Sequence, residues 1–138
     1  MKIQVFDNDQ AVAQAAAAMI AADARAAVAA RGRFLMAVSG GHTPWVMLRA
    51  LAGEDMPWAG VHVYQIDERI APTGDRDRNL THLRESLLEH APLPPEQIHA
   101  MPVEAADLEA AARQYAATLA ELAGSPPVLD LTDRKSVV

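Results

Sequence analysis

The chain has 138 residues, a formal net charge of −6, no cysteine and 51% hydrophobic residues, many of them alanine. This is the size of one ordinary domain. An acidic chain lacks the basic face that nucleic-acid binding requires, and without cysteine there are no disulfides, thiol nucleophiles or zinc–cysteine sites. Residues 1–9 do not form a signal peptide, and the longest low-charge stretch, residues 11–22, is too short to span a bilayer. We therefore predict a cytoplasmic protein that binds neither nucleic acid nor membrane.

The first third of the chain predicts a strand, a long helix and a second strand. Residues 2–6 alternate polar and apolar side chains, which is typical of a half-buried strand. An alanine-rich helix follows to about residue 30 and ends at Gly32. Its predicted N-cap is Asp7, Asn8 or Asp9, and its predicted buried stripe is Val12, Ala16, Met19 and Ile20. Residues 34–38 are continuously apolar and predict a strand covered on both faces.

The rest of the chain continues the alternation. Helical spacing returns at residues 44–51, residues 61–66 predict a third strand, and residues 67–78 carry too many charged and turn-forming residues for regular structure. Leucines mark a helix over residues 80–88, and residues 97–101 predict a short strand. A further helix runs from about Leu108 to Gly124, and a last strand begins at Val128. This order predicts a single α/β domain, a mostly parallel sheet with helices on both faces in a Rossmann-like three-layer arrangement. Ligands of such sheets bind at the carboxyl ends of the strands.

The glycine turn, residues 39–43 (SGGHT), joins the second predicted strand to the next helix. Pro44 suits the first helical position, and Thr43 beside it is a natural cap. Gly40 and Gly41 can adopt positive φ and bring backbone N–H groups close to a ligand, so the turn favours an anion cradle at a helix N-terminus. A tight turn without a ligand is equally compatible with this stretch alone, and the turn is neither a Walker A loop nor GxGxxG.

The DER loop, residues 67–78, begins with Asp67-Glu68-Arg69 at the carboxyl end of the third predicted strand. A carboxylate pair beside an arginine combines a proton acceptor with a planar phosphate-binding group. A solvated charged turn with a local ion pair explains the same residues. Two such loops after neighbouring strands favour a shared site.

SGGHTP followed by DERIAP, with Asn79 ten residues after Arg69, resembles the 6-phosphogluconolactonase family, within the superfamily that includes glucosamine-6-phosphate isomerases and deaminases. The likeness covers residues 1–131. Deaminases of this group are expected to carry a TGSTP-like turn and a tyrosine in place of Arg69, so this chain is more similar to the lactonases.

The resemblance implies roles for seven residues of this chain. Asp67 is the catalytic candidate, which would orient sugar hydroxyls or the attacking water. The substrate-binding candidates, which line the sugar-phosphate site, are Ser39, Gly40, Gly41, Thr43, Arg69 and Asn79. Arg78 stands where the family pattern has serine. The resemblance implies no metal and no cofactor.

The chain departs from the family pattern after Leu131. The family continues into a GxGxDGHTAS segment whose histidine is the expected general base, and these 138 residues contain no such segment. We therefore expect residues 1–131 to be the N-terminal half of a lactonase domain, incomplete at its C-terminus, and residues 132–138 to be an unrelated or non-native tail. We expect the histidines that the chain does contain to have surface or packing roles.

The function implied by the resemblance is hydrolysis of 6-phospho-D-glucono-1,5-lactone to 6-phosphogluconate in the pentose phosphate pathway, with weak or no turnover by this chain alone. The alternatives are a sugar-phosphate-binding module without catalysis and a glucosamine-6-phosphate deaminase-like isomerase. The expected partner is a phosphorylated sugar lactone. Self-association through an exposed sheet edge is a further hypothesis.

Overall fold

The computed structural model describes residues 3–133, which form four helices and four strands with short 3₁₀ turns between them. The elements in chain order are α1 (Asp9–Arg31), β1 (Phe34–Val38), α2 (His42–Leu51), β2 (Val61–Gln65), α3 (Asn79–Leu83), β3 (Ile98–His99), α4 (Leu108–Ala123) and β4 (Leu131–Thr132). A π-helical turn, Arg84–Leu88, extends α3 directly. The predicted alternation of strands and helices is confirmed.

The four strands form one sheet in the order β3-β2-β1-β4, and every neighbouring pair is parallel. In the central pair Phe34 lies opposite Val61 and Val38 lies opposite Gln65. Parallel neighbours require crossover connections, and here α1 precedes the sheet while α2, α3 and α4 supply the crossovers. The predicted parallel α/β fold is confirmed.

Helices cover both faces of the sheet. Successive side chains of a strand point to opposite faces, so β1 contributes to two separate apolar clusters. Phe34, Met36 and Val38 of β1 face the larger cluster with α1, α2 and the leucines of α3. Leu35 and Ala37 face the smaller cluster on the side of α4. All five residues of β1 are buried, as predicted for a strand between two helical layers.

Helix α1 has the predicted ends but a different buried face. Asn8 is the N-cap and accepts from the Ala11 amide at 2.9 Å, and Gly32 ends the helix with a φ of 75°. The predicted stripe is wrong for Val12 and Met19, which are 42% and 58% exposed. The buried residues are mainly alanines, Ala13, Ala17, Ile20, Ala21, Ala24 and Ala27. The face of α1 that packs in the larger cluster is therefore made of small side chains and one isoleucine, not of its other large apolar residues.

The same helix is long and apolar enough to cross a membrane by length and composition. Its 23 residues exceed the 12-residue stretch counted from the sequence. Core helices of proteins that never enter a membrane meet this criterion too, and α1 packs its alanine face against α2 and the sheet.

The predicted N-terminal strand is wrong for residues 3–6, which are irregular and exposed, and Lys2 lies outside the described residues. Ile3 and Val5 are 72% and 90% exposed. Both edges of β1 are already paired, with β2 and β4. A short strand that leaves Ile3 and Val5 exposed gains too little to offset its ordering entropy.

Further boundaries differ from the prediction, and β3, for example, covers Ile98–His99 instead of residues 97–101. Helix α2 begins at His42, two residues before Pro44, with Gly41 rather than Thr43 at the N-cap. Strand β4 begins at Leu131 instead of Val128, and the ladder continues through Thr132 to Asp133, whose amide donates to the Ala37 carbonyl. The residues of the predicted tail from 134 to 138 lie outside the described residues.

Candidate functional site

The carboxyl ends of β1, β2 and β4 lie together at one edge of the sheet. From β1 the chain moves outward to β2 and β3 and then returns to the other side of β1 as β4. This reversal makes the β1–β4 boundary a topological switch point, where doubly wound sheets bind ligands. The glycine turn follows β1, the DER loop follows β2 and Asp133 follows β4.

The glycine turn uses its two glycines for different reasons. Gly41 has a φ of 123°, which favours glycine, and it precedes the first turn of α2. Gly40 does not have positive φ, so that part of the prediction is wrong. A Cβ at Gly40 would instead lie 2.0 Å from Oδ1 of Asn79. Gly40 is therefore required by the close approach of Asn79.

Asn79 joins the two loops. Its side chain abuts Gly40, and its Nδ2 donates to the carbonyl oxygen of Asp67 at 3.2 Å. The Ile66 amide also donates to the Val38 carbonyl at 2.9 Å, which extends the β1–β2 ladder up to the loops. The glycine turn and the start of the DER loop thus lie side by side, as their positions after adjacent strands predict.

Glu68, the second residue of the DER triplet, is a buried structural carboxylate. Its side chain is fully buried and accepts from the Asn79 and Leu80 amides at 2.7 and 2.9 Å, which caps α3 from outside the helix. It also accepts from the Gln65 side chain and the Arg69 amide. Burial acts to raise the pKa of Glu68, but these hydrogen bonds outweigh it and lower the pKa below its ordinary value.

Asp67 and Arg69, on either side of Glu68, have exposed side chains. Within residues 3–133 neither of them forms an ion pair with another side chain. Thr43, in the first turn of α2, is exposed as well. These exposed groups belong to the two loops that follow β1 and β2, and the positive dipole end of α2 favours an anion at its N-terminal amides.

Ser39 has a neighbour that the sequence did not indicate. Its hydroxyl donates to Oδ2 of Asp133 at 3.3 Å, across the switch point. Burial raises the pKa of Asp133, and the hydrogen bonds from Ser39 lower it by less. A carboxyl group therefore borders the predicted anion cradle.

The end of β2 is fixed by side chains from distant parts of the chain. The Tyr115 hydroxyl, from α4, accepts from the Gln65 amide at 2.8 Å and donates to the Gln65 carbonyl at 2.9 Å. Burial raises the pKa of Tyr115 to about 12. The Gln65 side chain links Glu68 to the Met101 amide. These bonds determine where β2 stops and the DER loop begins.

The histidines lie beside the loops or on the sheet. His82 stacks on Trp45 with ring centroids 4.0 Å apart, and this pair lines a cavity of about 550 Å³ next to α2. His62 and His99 are hydrogen-bonded to each other at 3.1 Å on the α4 side of the sheet. Burial lowers the pKa of both, and Arg33 adds to the effect at His62. Among residues 3–133 no three potential ligands are grouped so as to hold a metal ion.

Sequence reasoning missed the roles of Glu68, Gln65, Tyr115 and Asp133. Glu68 is part of the DER motif, but a run of three charged residues does not show which of them turns inward. Tyr115 lies within the helix that the sequence predicts, but no local pattern shows that its hydroxyl bonds to β2.

The fold and the paired loops define an α/β protein with a candidate anion site at the strand ends, and comparisons with known proteins identify the family and the fold. The family of glucosamine-6-phosphate isomerases and 6-phosphogluconolactonases matches residues 7–132. The 6-phosphogluconolactonase of Mycobacterium leprae is 38% identical over 127 residues, covering 88% of this chain and 51% of that protein.

Solved structures of 6-phosphogluconolactonases have the same fold as this chain. A 6-phosphogluconolactonase from Shewanella baltica superposes with a TM-score of 0.74 at 29% identity, covering 85% of this chain and 50% of that one. The fold of the Trypanosoma brucei 6-phosphogluconolactonase matches with a TM-score of 0.80 at 23% identity, covering 95% and 57%. The chain belongs to the glucosamine-6-phosphate isomerase/6-phosphogluconolactonase family. It spans about half the length of the curated relatives that it matches.

Proposed function

We propose that this chain supplies the sugar-phosphate-binding half of an enzyme that hydrolyses 6-phospho-D-glucono-1,5-lactone to 6-phosphogluconate. The observation that carries the proposal is the contact of Asn79 with Gly40, which joins the glycine turn to the DER loop at the carboxyl ends of β1 and β2. The proposed reaction is the one for which the relatives are named.

The phosphate is assigned to the glycine turn and Arg69. The N-terminal amides of α2, with Thr43 beside them, would donate to phosphate oxygens, and the helix dipole favours negative charge there. The Arg69 guanidinium would add a charge-assisted hydrogen bond. An anionic ligand needs such local donors because the chain carries a net charge of −6.

The catalytic step is assigned to water at the lactone carbonyl. The water oxygen attacks C1, a general base takes its proton, and the ring C–O bond breaks as the ring oxygen gains a proton. Asp67, an exposed carboxylate two residues before Arg69, would orient sugar hydroxyls or the attacking water. The base implied by the resemblance is a histidine in a segment that these 138 residues do not contain. A positioned base contributes about 10²–10⁴ in rate, so we expect the 138-residue chain alone to bind ligand and turn over weakly or not at all.

The test combines calorimetry and a lactonase assay on the 138-residue chain. We expect binding of 6-phosphogluconate, no comparable binding of gluconate, and hydrolysis close to the spontaneous rate. The variant Arg69→Gln should lose binding, whereas Arg113→Gln, on the exposed face of α4, should retain it. Turnover typical of the family would refute the expected inactivity. Absence of binding would refute the site, and tighter binding of glucosamine 6-phosphate would favour the deaminase-like alternative.

A further inference from the structure

Arg78 occupies the N-cap position of α3, where its side chain cannot accept a hydrogen bond from the helix amides. The family resemblance implies a serine here, which is a good N-cap residue. In this chain Glu68 caps the helix instead, from the beginning of the same loop. The N-terminus of α3 is therefore satisfied by a residue eleven positions earlier in the sequence.

The Arg78 guanidinium is buried against that cap. Its side chain is 3% exposed, and its Nε lies 3.6 Å from Oε2 of Glu68, a side chain with no exposed surface. A buried carboxylate is costly unless it is paired and fully hydrogen-bonded. Arg78 thus compensates the charge of the group that holds both ends of the DER loop together.

The other end of the guanidinium reaches a third segment. Its Nη1 donates to Oε2 of Glu104 at 2.8 Å, and it lies 3.3 and 3.4 Å from Thr73 Oγ1 and the Ala71 carbonyl. Glu104 also accepts from the Thr73 amide at 3.1 Å. Glu104 belongs to the connection between β3 and α4, so one arginine ties the start, middle and end of the DER loop to a separate part of the fold.

We propose that Arg78 and Glu104 are positioning residues for the sugar-phosphate site, an inference that rests on the proposed function. They touch no ligand. They act through Glu68, which holds the backbone between Asp67 and Arg69, and through the start of α3, which carries Asn79 against Gly40. In this chain the positions of the ligand-facing side chains depend on a contact that a serine at residue 78 could not make.

The experiment uses the variant Glu104→Ala, with Glu109→Ala as the matched control. The side chain of Glu104 is 53% exposed. Glu109 is an exposed glutamate that also pairs with an arginine, Arg113, but within α4. The readouts are amide hydrogen exchange across residues 66–80 and the affinity for 6-phosphogluconate. For Glu104→Ala we expect at least tenfold faster exchange at the Thr73 amide and three- to tenfold weaker binding. The control should leave both unchanged.

A second variant, Arg78→Lys, retains a positive charge near Glu68 but removes the guanidinium that spans two acceptors. It should reproduce the loss of affinity, and combining it with Glu104→Ala should add little further loss. If the wild-type chain binds 6-phosphogluconate and both variants bind it with the same affinity, the positioning role is overturned. Unchanged exchange at Thr73 would overturn the contact itself. Failure of the wild-type chain to bind 6-phosphogluconate would instead contradict the proposed function.

Discussion

The contact between Gly40 and Asn79 gives the sharpest prediction, for the variant Gly40→Ala. A Cβ at residue 40 would lie 2.0 Å from Oδ1 and 2.5 Å from Cγ of Asn79, so the asparagine side chain must move. That movement also breaks the hydrogen bond from Nδ2 to the Asp67 carbonyl. Overpacking costs about 1–3 kcal/mol and a lost hydrogen bond about 1 kcal/mol. We expect a loss of roughly 2–4 kcal/mol in the free energy of unfolding and a loss of ligand binding.

The assay is urea denaturation followed by tryptophan fluorescence, with Gly53→Ala as the control. A Cβ at Gly53 would meet its nearest atom, the Ala50 carbonyl oxygen, at an ordinary 3.5 Å, so this variant should be nearly neutral. In a background carrying Asn79→Ala the clash is absent, and Gly40→Ala should then cost far less. Equal costs in the two backgrounds, or a Gly40→Ala variant as stable as the control, would refute the reasoning.

Three further predictions concern a partly buried charge, the pH dependence of stability and a partly buried hydroxyl. Asp133→Asn should tighten 6-phosphogluconate binding by roughly two- to tenfold in calorimetry, because it removes a like charge beside Ser39. Weaker binding would show that the carboxylate does not oppose the ligand. The pKa values of His62 and His99 are lowered by burial, so the unfolded chain binds more protons and stability should fall as pH drops below their ordinary value of 6.5. Thermal melts from pH 7.5 to 5 should show a shallower loss in His62→Gln/His99→Gln, and an unchanged slope would contradict this. Tyr115→Phe removes both hydrogen bonds to the end of β2 and should lower the free energy of unfolding by about 1–3 kcal/mol in urea titrations. The control Arg113→Gln, at an exposed position of the same helix, should change it by less than about 0.5 kcal/mol.

The sequence predicted much of the fold because most elements are encoded by short-range features. The asparagine before α1 and the glycine after it bound that helix, and the continuous apolar run of residues 34–38 identifies the central strand. The two motifs also predicted that the glycine turn and the DER loop would lie next to each other, since the carboxyl ends of neighbouring parallel strands meet at one edge. Family membership follows from the same stretches.

The N-terminal strand and the buried face of α1 show where local patterns fail. Residues 3–6 have the alternation of a strand, but no sheet edge in the described residues pairs with them. In α1 the largest apolar residues suggested one face, and the packing against α2 buried the alanines instead. Both outcomes depend on what else occupies the neighbouring space, which a local pattern does not contain.

The sequence by itself determined the order of the elements from α1 onward, the parallel α/β class and the candidate residues of the two loops. Only the tertiary structure decided what those residues do to one another. Gly40 makes room for Asn79, Glu68 caps a helix eleven residues away, and Ser39 meets Asp133 across 94 positions of sequence. Caps and periodicity act over one or two turns of chain, whereas the burial and pairing of these groups depend on distances that exist only after the sheet has brought the strand ends together.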